Sequence, residues 1–156
     1  MVNVNTVASY IYEKYKSEFG IIIDEMKLHK LLYFAQRESI IQTGKPLFDA
    51  TFRGWKYGPI LKEIRELYKN NSFVLVNSCS DIDEMQPIIN AVFEEYAKKD
   101  SWSLSRLTHG EYSWKKSREG IPENENSDNP INVEDIRIDA DRVKARRELL
   151  KQLGLS

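Results

Sequence analysis

The sequence has 156 residues, of which 41% are hydrophobic and 30% charged, and its formal net charge is −1. Such a chain is typical of one globular domain, and its near-neutral charge argues against a surface that binds nucleic acid all over. One cysteine and two histidines exclude an internal disulfide and a Cys/His zinc cluster. Without a long apolar run or a signal-peptide pattern, we expect a cytoplasmic protein with no membrane segment and no cofactor.

The first element in the chain is a predicted amphipathic helix. Apolar residues recur at helical spacing over residues 4–19, with Asn3 or Asn5 as the cap and Gly20 as the stop. The three isoleucines at 21–23 follow directly. Because they are β-branched and consecutive, we expect them to form a short, buried, extended connector.

The second predicted helix begins after Asp24, a good N-cap residue, and ends at Gly44. It is apolar around most of its circumference, so it should be buried on more than one side. We therefore expect this helix to be the centre of the fold. Its apolar residues are Leu28, Leu31, Leu32, Tyr33, Phe34, Ala35, Ile40 and Ile41.

An aromatic segment over residues 47–57 follows the central helix. It alternates too densely for a surface loop, and Gly58 then interrupts it. Pro59 suits the first turn of a third helix, because its missing N–H has no intrahelical partner there. The run 73–76 has the chemistry of a strand and could pair with residues 52–55 as a small ribbon.

Three further helices are predicted in the second half of the chain. One should begin at Asp83, a short one at Ser101 or Ser103, and the last at about Asp139. Between the last two, residues 118–130 are rich in Gly, Pro, Asn and acidic residues. We expect that segment to be a solvated, mobile loop.

These patterns predict a mainly α fold: a single compact helical domain around a buried central helix, with at most a small β ribbon. Six or seven helices are expected. Residues 1–120 should form the main unit. Residues 121–156 should add the acidic loop and a C-terminal amphipathic basic helix that docks on the same domain.

Four sequence blocks occur in order: KLHKLLYFAQ, GKPLF, FRGWKYGPI and LSRLTHGEYSW. Together they resemble the Panacea domain, the antitoxin SocA-like family also called GepA-like, over roughly residues 5–120. The last block has Ser113 where that family usually has proline. The resemblance implies a phage-associated antitoxin that neutralises a cognate toxin protein by direct binding. Some family members also hand the toxin to an ATP-dependent protease. Because the resemblance ends before the last helix, we expect a chain without residues 139–156 to fold.

No motif of a nucleotide-binding, serine-hydrolase or zinc-protease site is present, so we expect no enzymatic activity. His29 is interpreted as a packed or surface residue. His109 lies close in sequence to Thr108, Glu111 and Trp114. It could transfer protons with such neighbours, or join two short helices through hydrogen bonds, and we favour the structural role.

The segment from Arg53 to Pro59 is the strongest candidate for partner recognition. Along an extended chain, Arg53, Trp55 and Tyr57 should share one face, with Lys56 on the other. Trp, Tyr and Arg are the residue types that dominate the energetics of protein interfaces. Trp55 has two open interpretations, as a core residue or as part of a binding surface.

Lys27 and Lys30 lie three residues apart on the central helix, where they form either a solvated edge or a surface for an anionic partner. The basic C-terminal helix leaves nucleic-acid binding open as an alternative function, although the net charge counts against it. The predicted partner-binding residues are Lys27, Lys30, Tyr33, Arg53, Trp55, Tyr57, Gly58, Pro59, His109 and Trp114.

Overall fold

The computed structural model describes residues 1–155, and within that range the chain forms seven helices and one two-stranded antiparallel ribbon. The predicted mainly α fold with a small ribbon is confirmed. No helix in the described range is both long and apolar enough to cross a membrane. The elements are α1 (Val4–Phe19), α2 (Glu25–Thr43), β1 (Arg53–Trp55), β2 (Gly58–Ile60), α3 (Lys62–Lys69), α4 (Cys79–Tyr96), α5 (Ser101–His109), α6 (Tyr112–Ser117) and α7 (Val133–Gln152).

Helix α2 is the centre of the fold, as predicted. The Asp24 side chain accepts a hydrogen bond from the backbone N–H of Lys27 at 2.8 Å, and Gly44 ends the helix with φ of 78°. Every residue from Lys27 to Ile40 is buried. Helices α1, α3, α4, α5 and α7 and strand β2 all contact α2, so no side of it faces solvent over that stretch.

The ribbon differs from the one predicted. Strand β1 pairs with β2 through a two-residue turn, with Trp55 opposite Gly58. Pro59 is therefore part of a strand and not of the first turn of α3, which begins at Lys62. Residues 73–76 pair with no strand in the described chain. Instead Phe73 stacks on Tyr12 of α1 with ring centroids 4.1 Å apart, so an aromatic contact fixes that segment.

Several predicted boundaries are wrong by a few residues. Helix α4 is capped by Ser78 and not by Asp83, while Asp100 caps α5 in place of a serine. Short polar side chains compete as caps, and tertiary contacts select among them. In the isoleucine connector only Ile23 is buried, because the chain turns outward at residues 21–22 before it enters α2.

Helix α7 begins at Val133, with Asn132 as its cap, and its first half belongs to the core. Asp139 and Ala140 are buried. The carboxylate of Asp139 accepts hydrogen bonds from the backbone N–H groups of Tyr112 and Ser113, each at 2.8 Å. The C-terminal helix thus satisfies backbone donors at the start of α6.

The acidic loop between α6 and α7 is tied to the ribbon by its backbone. Gly54 N donates to Asn129 O at 2.9 Å, and Ile131 N donates to Phe52 O at 2.8 Å. Arg118 is buried, and its guanidinium donates to the carbonyl of Gly54 at 2.8 Å. The loop therefore runs along the free edge of β1 and covers it, which the composition of the segment did not predict.

Candidate functional site

The RGWKYGP and LSRLTHGEYSW segments meet in space at the β1–β2 hairpin. The Ser105 hydroxyl donates to the carbonyl of Tyr57 at 2.6 Å, and the Trp114 indole N–H donates to the carbonyl of Trp55 at 2.8 Å. Side chains of α5 and α6 thus form hydrogen bonds to the backbone of the hairpin and support it from behind. As a result, the side chains at its tip are displayed on a rigid support.

A pocket of about 330 Å³ lies between the hairpin, the start of α2 and α3. We call it the hairpin pocket. Its apolar walls come from Met26, Trp55, Tyr57 and Ile60. Its polar lining residues are Glu25, His29, Lys30, Lys56, Arg65 and Asn126.

The expected alternation of side chains between the two faces of the hairpin ends at its turn. Trp55, Lys56 and Tyr57 all line the hairpin pocket, because Lys56 and Tyr57 form the two-residue turn. The prediction that Lys56 faces the opposite side is therefore wrong. Arg53, one pair further along the ribbon, is half-buried and donates to the carbonyl of Asp128 at 3.4 Å.

The Trp55 ring forms a half-buried wall of this pocket. Its indole N–H donates to the Asp128 carboxylate at 2.9 Å, and the Arg65 guanidinium lies 4.8 Å from the ring centroid. Trp55 therefore combines the two interpretations left open by the sequence. One face is packed by neighbours, while the residue still contributes to the pocket surface.

Lys27 and Lys30 are buried, so the solvated edge expected for them is wrong. The Lys27 ammonium group donates to the Tyr15 hydroxyl and to the Ala97 carbonyl, each at 3.1 Å. Lys30 is 1% exposed and donates to the carbonyl of Pro59 at 3.2 Å. Burial lowers the pKa of Lys30 from 10.5 to about 7. Neither residue supplies a surface charge to an approaching partner.

His29 has both ring nitrogens engaged. Its Nδ1 accepts from the backbone N–H of Leu61 at 3.2 Å, so Nε2 carries the proton and donates to Glu25 at 3.0 Å. Burial lowers the pKa of His29, and the hydrogen bond from His29 lowers the pKa of Glu25. A neutral imidazole that bonds an ionised carboxylate is a structural arrangement, with no nitrogen left to act as a base.

His109 stacks on Trp114 with ring centroids 4.2 Å apart and an angle of 12° between the planes. Its Nε2 is buried and has no hydrogen-bond partner within residues 1–155. Burial, and secondly the nearby Lys30, lower the pKa of His109. The ring packs between α5 and α6 by stacking on Trp114, and not through the hydrogen bonds expected from the sequence.

Tyr33 is fully buried and thus lies away from any partner surface. Its hydroxyl bonds the Ser113 hydroxyl at 2.7 Å and donates to Asp139 at 3.3 Å. Burial raises the pKa of Tyr33 well above its usual value. Gly58 and Pro59 are also buried, so the predicted site residues that remain accessible are Arg53, Trp55, Tyr57, His109 and Trp114.

The sequence interpretation missed Trp102. It is 54% exposed and lies edge-on to Tyr57, itself 46% exposed, with ring centroids 5.3 Å apart and an interplanar angle of 87°. Trp102 lies in the first turn of α5 and is exposed, whereas Leu104 two residues later is buried, so the sequence contained an aromatic residue off the core-facing side of the helix. Trp55, Tyr57 and Trp102 together form a surface that we call the aromatic rim.

The family model described as "Antitoxin SocA-like, Panacea domain" matches residues 28–115, which is more than half of the chain. This chain belongs to the antitoxin SocA-like, Panacea domain family. The match runs from α2 into α6 and includes the hairpin and the whole aromatic rim.

A curated relative of this Panacea chain is "Antitoxin SocA" of Caulobacter vibrioides (strain NA1000 / CB15N). The two are 31% identical over 70 residues, which are 45% of this chain and 37% of the relative. The alignment thus spans little more than a third of the relative's length. No solved structure matches the chain.

Proposed function

We propose that this Panacea protein is an antitoxin that neutralises a cognate toxin by direct binding at the aromatic rim. The observation that carries the proposal is the exposed pair Tyr57 and Trp102 beside the hairpin pocket, inside the segment that defines the family. Tyrosine and tryptophan contribute large contact area at low entropic cost, and they are enriched among the residues that dominate interface energies.

The rim is suited to binding because it is fixed before a partner arrives. The tip of the hairpin is bonded by Ser105 and Trp114 from behind, and by the loop residues Asn126 and Asp128 at the side. A preorganised surface loses little conformational entropy on association. Arg65, which lies over the Trp55 ring, and Lys56 are the accessible cations of the pocket, in place of the buried Lys27 and Lys30.

The test is co-expression with the protein encoded by the adjacent gene as the candidate toxin, with growth rescue and co-purification as readouts. The variant Tyr57→Ala/Trp102→Ala should lose about 2 kcal/mol or more of binding free energy and fail to rescue growth. The matched control is Leu75→Ala/Leu149→Ala, which removes exposed apolar residues far from the rim in sequence. It should rescue like the wild type.

Two outcomes count against the proposal in different ways. If the wild-type protein neither binds nor rescues, this chain is not the antitoxin of that toxin. If both double variants rescue equally well, the toxin binds another surface.

Delivery of the toxin to an ATP-dependent protease begins with the same complex. A shortened toxin lifetime in protease-competent cells, compared with protease-deficient cells, would identify that mode.

Nucleic-acid binding by α7 remains the alternative, and the pairing of two of its arginines weakens it. Arg147 is paired with Glu38 at 3.0 Å and Glu95 at 3.2 Å, and Arg137 is paired with Glu134 at 3.3 Å. Cations that already have acidic partners release fewer counterions from a nucleic acid. Salt-dependent binding to duplex DNA at the affinity of the toxin complex would establish the alternative.

A further inference from the structure

A second pocket, of about 350 Å³, lies between α2, the α5–α6 junction and α7. Three arginines line it: Arg37 from α2, and Arg142 and Arg146 from α7. We propose that this pocket is a binding site for a phosphate group, free or carried by a small metabolite. It is separate from the aromatic rim and is not part of the proposed toxin-binding surface.

Arg37 supplies a buried positive charge to the wall of the pocket. One of its terminal nitrogens is paired with Glu111, and the other donates to the Tyr96 hydroxyl at 2.6 Å. Its Nε has no hydrogen-bond partner within the described residues, although the side chain is buried. That Nε atom is itself buried, so Arg37 contributes its positive charge to the pocket wall and not a free donor.

Arg142 and Arg146 provide the accessible part of the site. They lie one helical turn apart and therefore share a side of α7. Neither makes an ion pair within residues 1–155, whereas the neighbouring Arg147 is bound by two glutamates. Arg142 is placed by the ring of Tyr112, whose centroid is 5.3 Å from the guanidinium carbon. Two guanidinium forks on one helix side match the several oxygens of a phosphate.

The two acids that line the pocket form no ion pair with Arg142 or Arg146 within residues 1–155. The Asp139 carboxylate is already engaged by the N–H groups of Tyr112 and Ser113 and by the hydroxyl of Tyr33. Glu111 is paired with Arg37, and burial raises the pKa of Glu111 to about 7. Arg142 and Arg146 thus have no acidic partner in the part of the chain that the structure describes, which leaves the accessible side of the pocket cationic.

The shape of the site also favours a compact anion. Phe34, Tyr96 and Leu107 form apolar walls beside the arginines, and a wall of low dielectric constant strengthens electrostatic attraction. A phosphate can accept hydrogen bonds from more donors than a carboxylate can. We therefore expect phosphate to bind more tightly than acetate.

The experiment is a calorimetric titration of the full chain with sodium phosphate, at fixed pH and with ionic strength held constant by sodium chloride. Saturable binding with a Kd of about 1 mM or tighter is expected. The variant Arg142→Gln/Arg146→Gln should weaken that binding by about tenfold or more. Circular dichroism checks that the variant is folded, since both side chains are exposed.

The matched control is Lys144→Gln/Lys151→Gln, which removes two exposed cations from the same helix outside the pocket. It lowers the net charge equally and should leave phosphate affinity within about twofold. If both variants lost phosphate affinity equally, the lower net charge would explain the loss, and the proposed site would be overturned. Absence of saturable binding, or an unchanged Kd in the arginine variant, would overturn it too. Acetate binding as tightly as phosphate would reject the phosphate assignment.

Discussion

Lys30 and Gly58 fit together so closely that a Cβ atom on Gly58 would lie 2.7 Å from Cε of Lys30. The same atom would lie 2.5 Å from the Thr108 hydroxyl oxygen. Gly58 also has φ of 114°, a conformation that residues with side chains rarely adopt. The hairpin can therefore lie on α2 and α5 only with glycine at this position.

Replacement of Gly58 by alanine should destabilise the protein by about 3–5 kcal/mol, because steric overlap adds to backbone strain. Gly120→Ala is the matched control: its φ is 79°, but nothing lies within 4 Å of the new Cβ. It should cost only about 1–2 kcal/mol, the strain alone. Urea unfolding of both variants measures the difference in their free energies of unfolding. Equal destabilisation would show that the Lys30 side chain moves aside at no measurable cost.

Lys30→Met should stabilise the protein at neutral pH. The pKa of Lys30 is about 7 in the folded protein and near 10.5 when exposed, so the unfolded chain binds the extra proton between these values. Burial therefore costs most below about pH 7, and the cost disappears as the pH rises towards 10.5. We expect the variant to gain about 2–4 kcal/mol at pH 7, after the loss of the hydrogen bond to Pro59.

The measurement for Lys30 is urea unfolding of wild type and variant at about pH 7 and about pH 9.5, where the gain should shrink. The exposed Lys99→Met serves as the control and should show no such trend. A gain for Lys30→Met that is constant across this range would mean that the buried amine is charged throughout.

Loss of Asp139 should damage the core. Asp139→Ala leaves the N–H groups of Tyr112 and Ser113 without their acceptor and removes a partner of the buried Tyr33 hydroxyl. We expect a cost of about 3 kcal/mol or more. The exposed Asp141→Ala on the same helix should stay within about 0.5 kcal/mol of wild type. Thermal melts compare the two.

The same contacts change our expectation for a chain that lacks residues 139–156. Ala140 is buried beside Asp139, and α7 lies directly on α2. We now expect the truncated chain to unfold or aggregate. A cooperative thermal melt of the truncated protein would instead show that it folds without residues 139–156, as expected from where the family resemblance ends.

Asp128→Ala should loosen the loop without unfolding the domain. The Asp128 carboxylate binds the Trp55 indole and the Lys62 ammonium group, and the Lys62 hydrogen bond lowers its pKa. Without the Asp128 carboxylate, backbone hydrogen exchange should accelerate over residues 119–130 and at the Gly54 amide, which donates to the carbonyl of Asn129. The melting temperature should change little. Glu123→Ala, another exposed acid in the loop, is the control and should leave exchange unchanged.

The elements that could be predicted from sequence are those with signals close along the chain. Helix α1 between Asn3 and Gly20, and α2 between Asp24 and Gly44, begin and end at residues whose backbone preferences are local. The central position of α2 followed from its apolar circumference. The ribbon was expected, but its strands have three residues each, too few for periodicity to assign the pairing.

The buried lysines could not be predicted, because their partners are distant in sequence. Lys27 is satisfied by the carbonyl of Ala97, and Lys30 by that of Pro59. Residue type alone places lysine at the surface. Only the folded arrangement provides the acceptors that permit burial, and the same applies to Asp139. The accessible aromatic residues of the rim were predicted in part, with Trp102 missing, and their role in partner binding stays a prediction.

The loop on the edge of β1 affects how this family module could be exchanged between proteins. Asn126 and Asp128 lie outside residues 28–115, yet they bond the backbone of Lys56 and the indole of Trp55. A chimera that transplanted only the family segment would carry the rim residues without the loop that positions them. Recipient chains would have to bring residues 116–132 as well. Partner specificity is therefore expected to move with a segment longer than the one that defines the family.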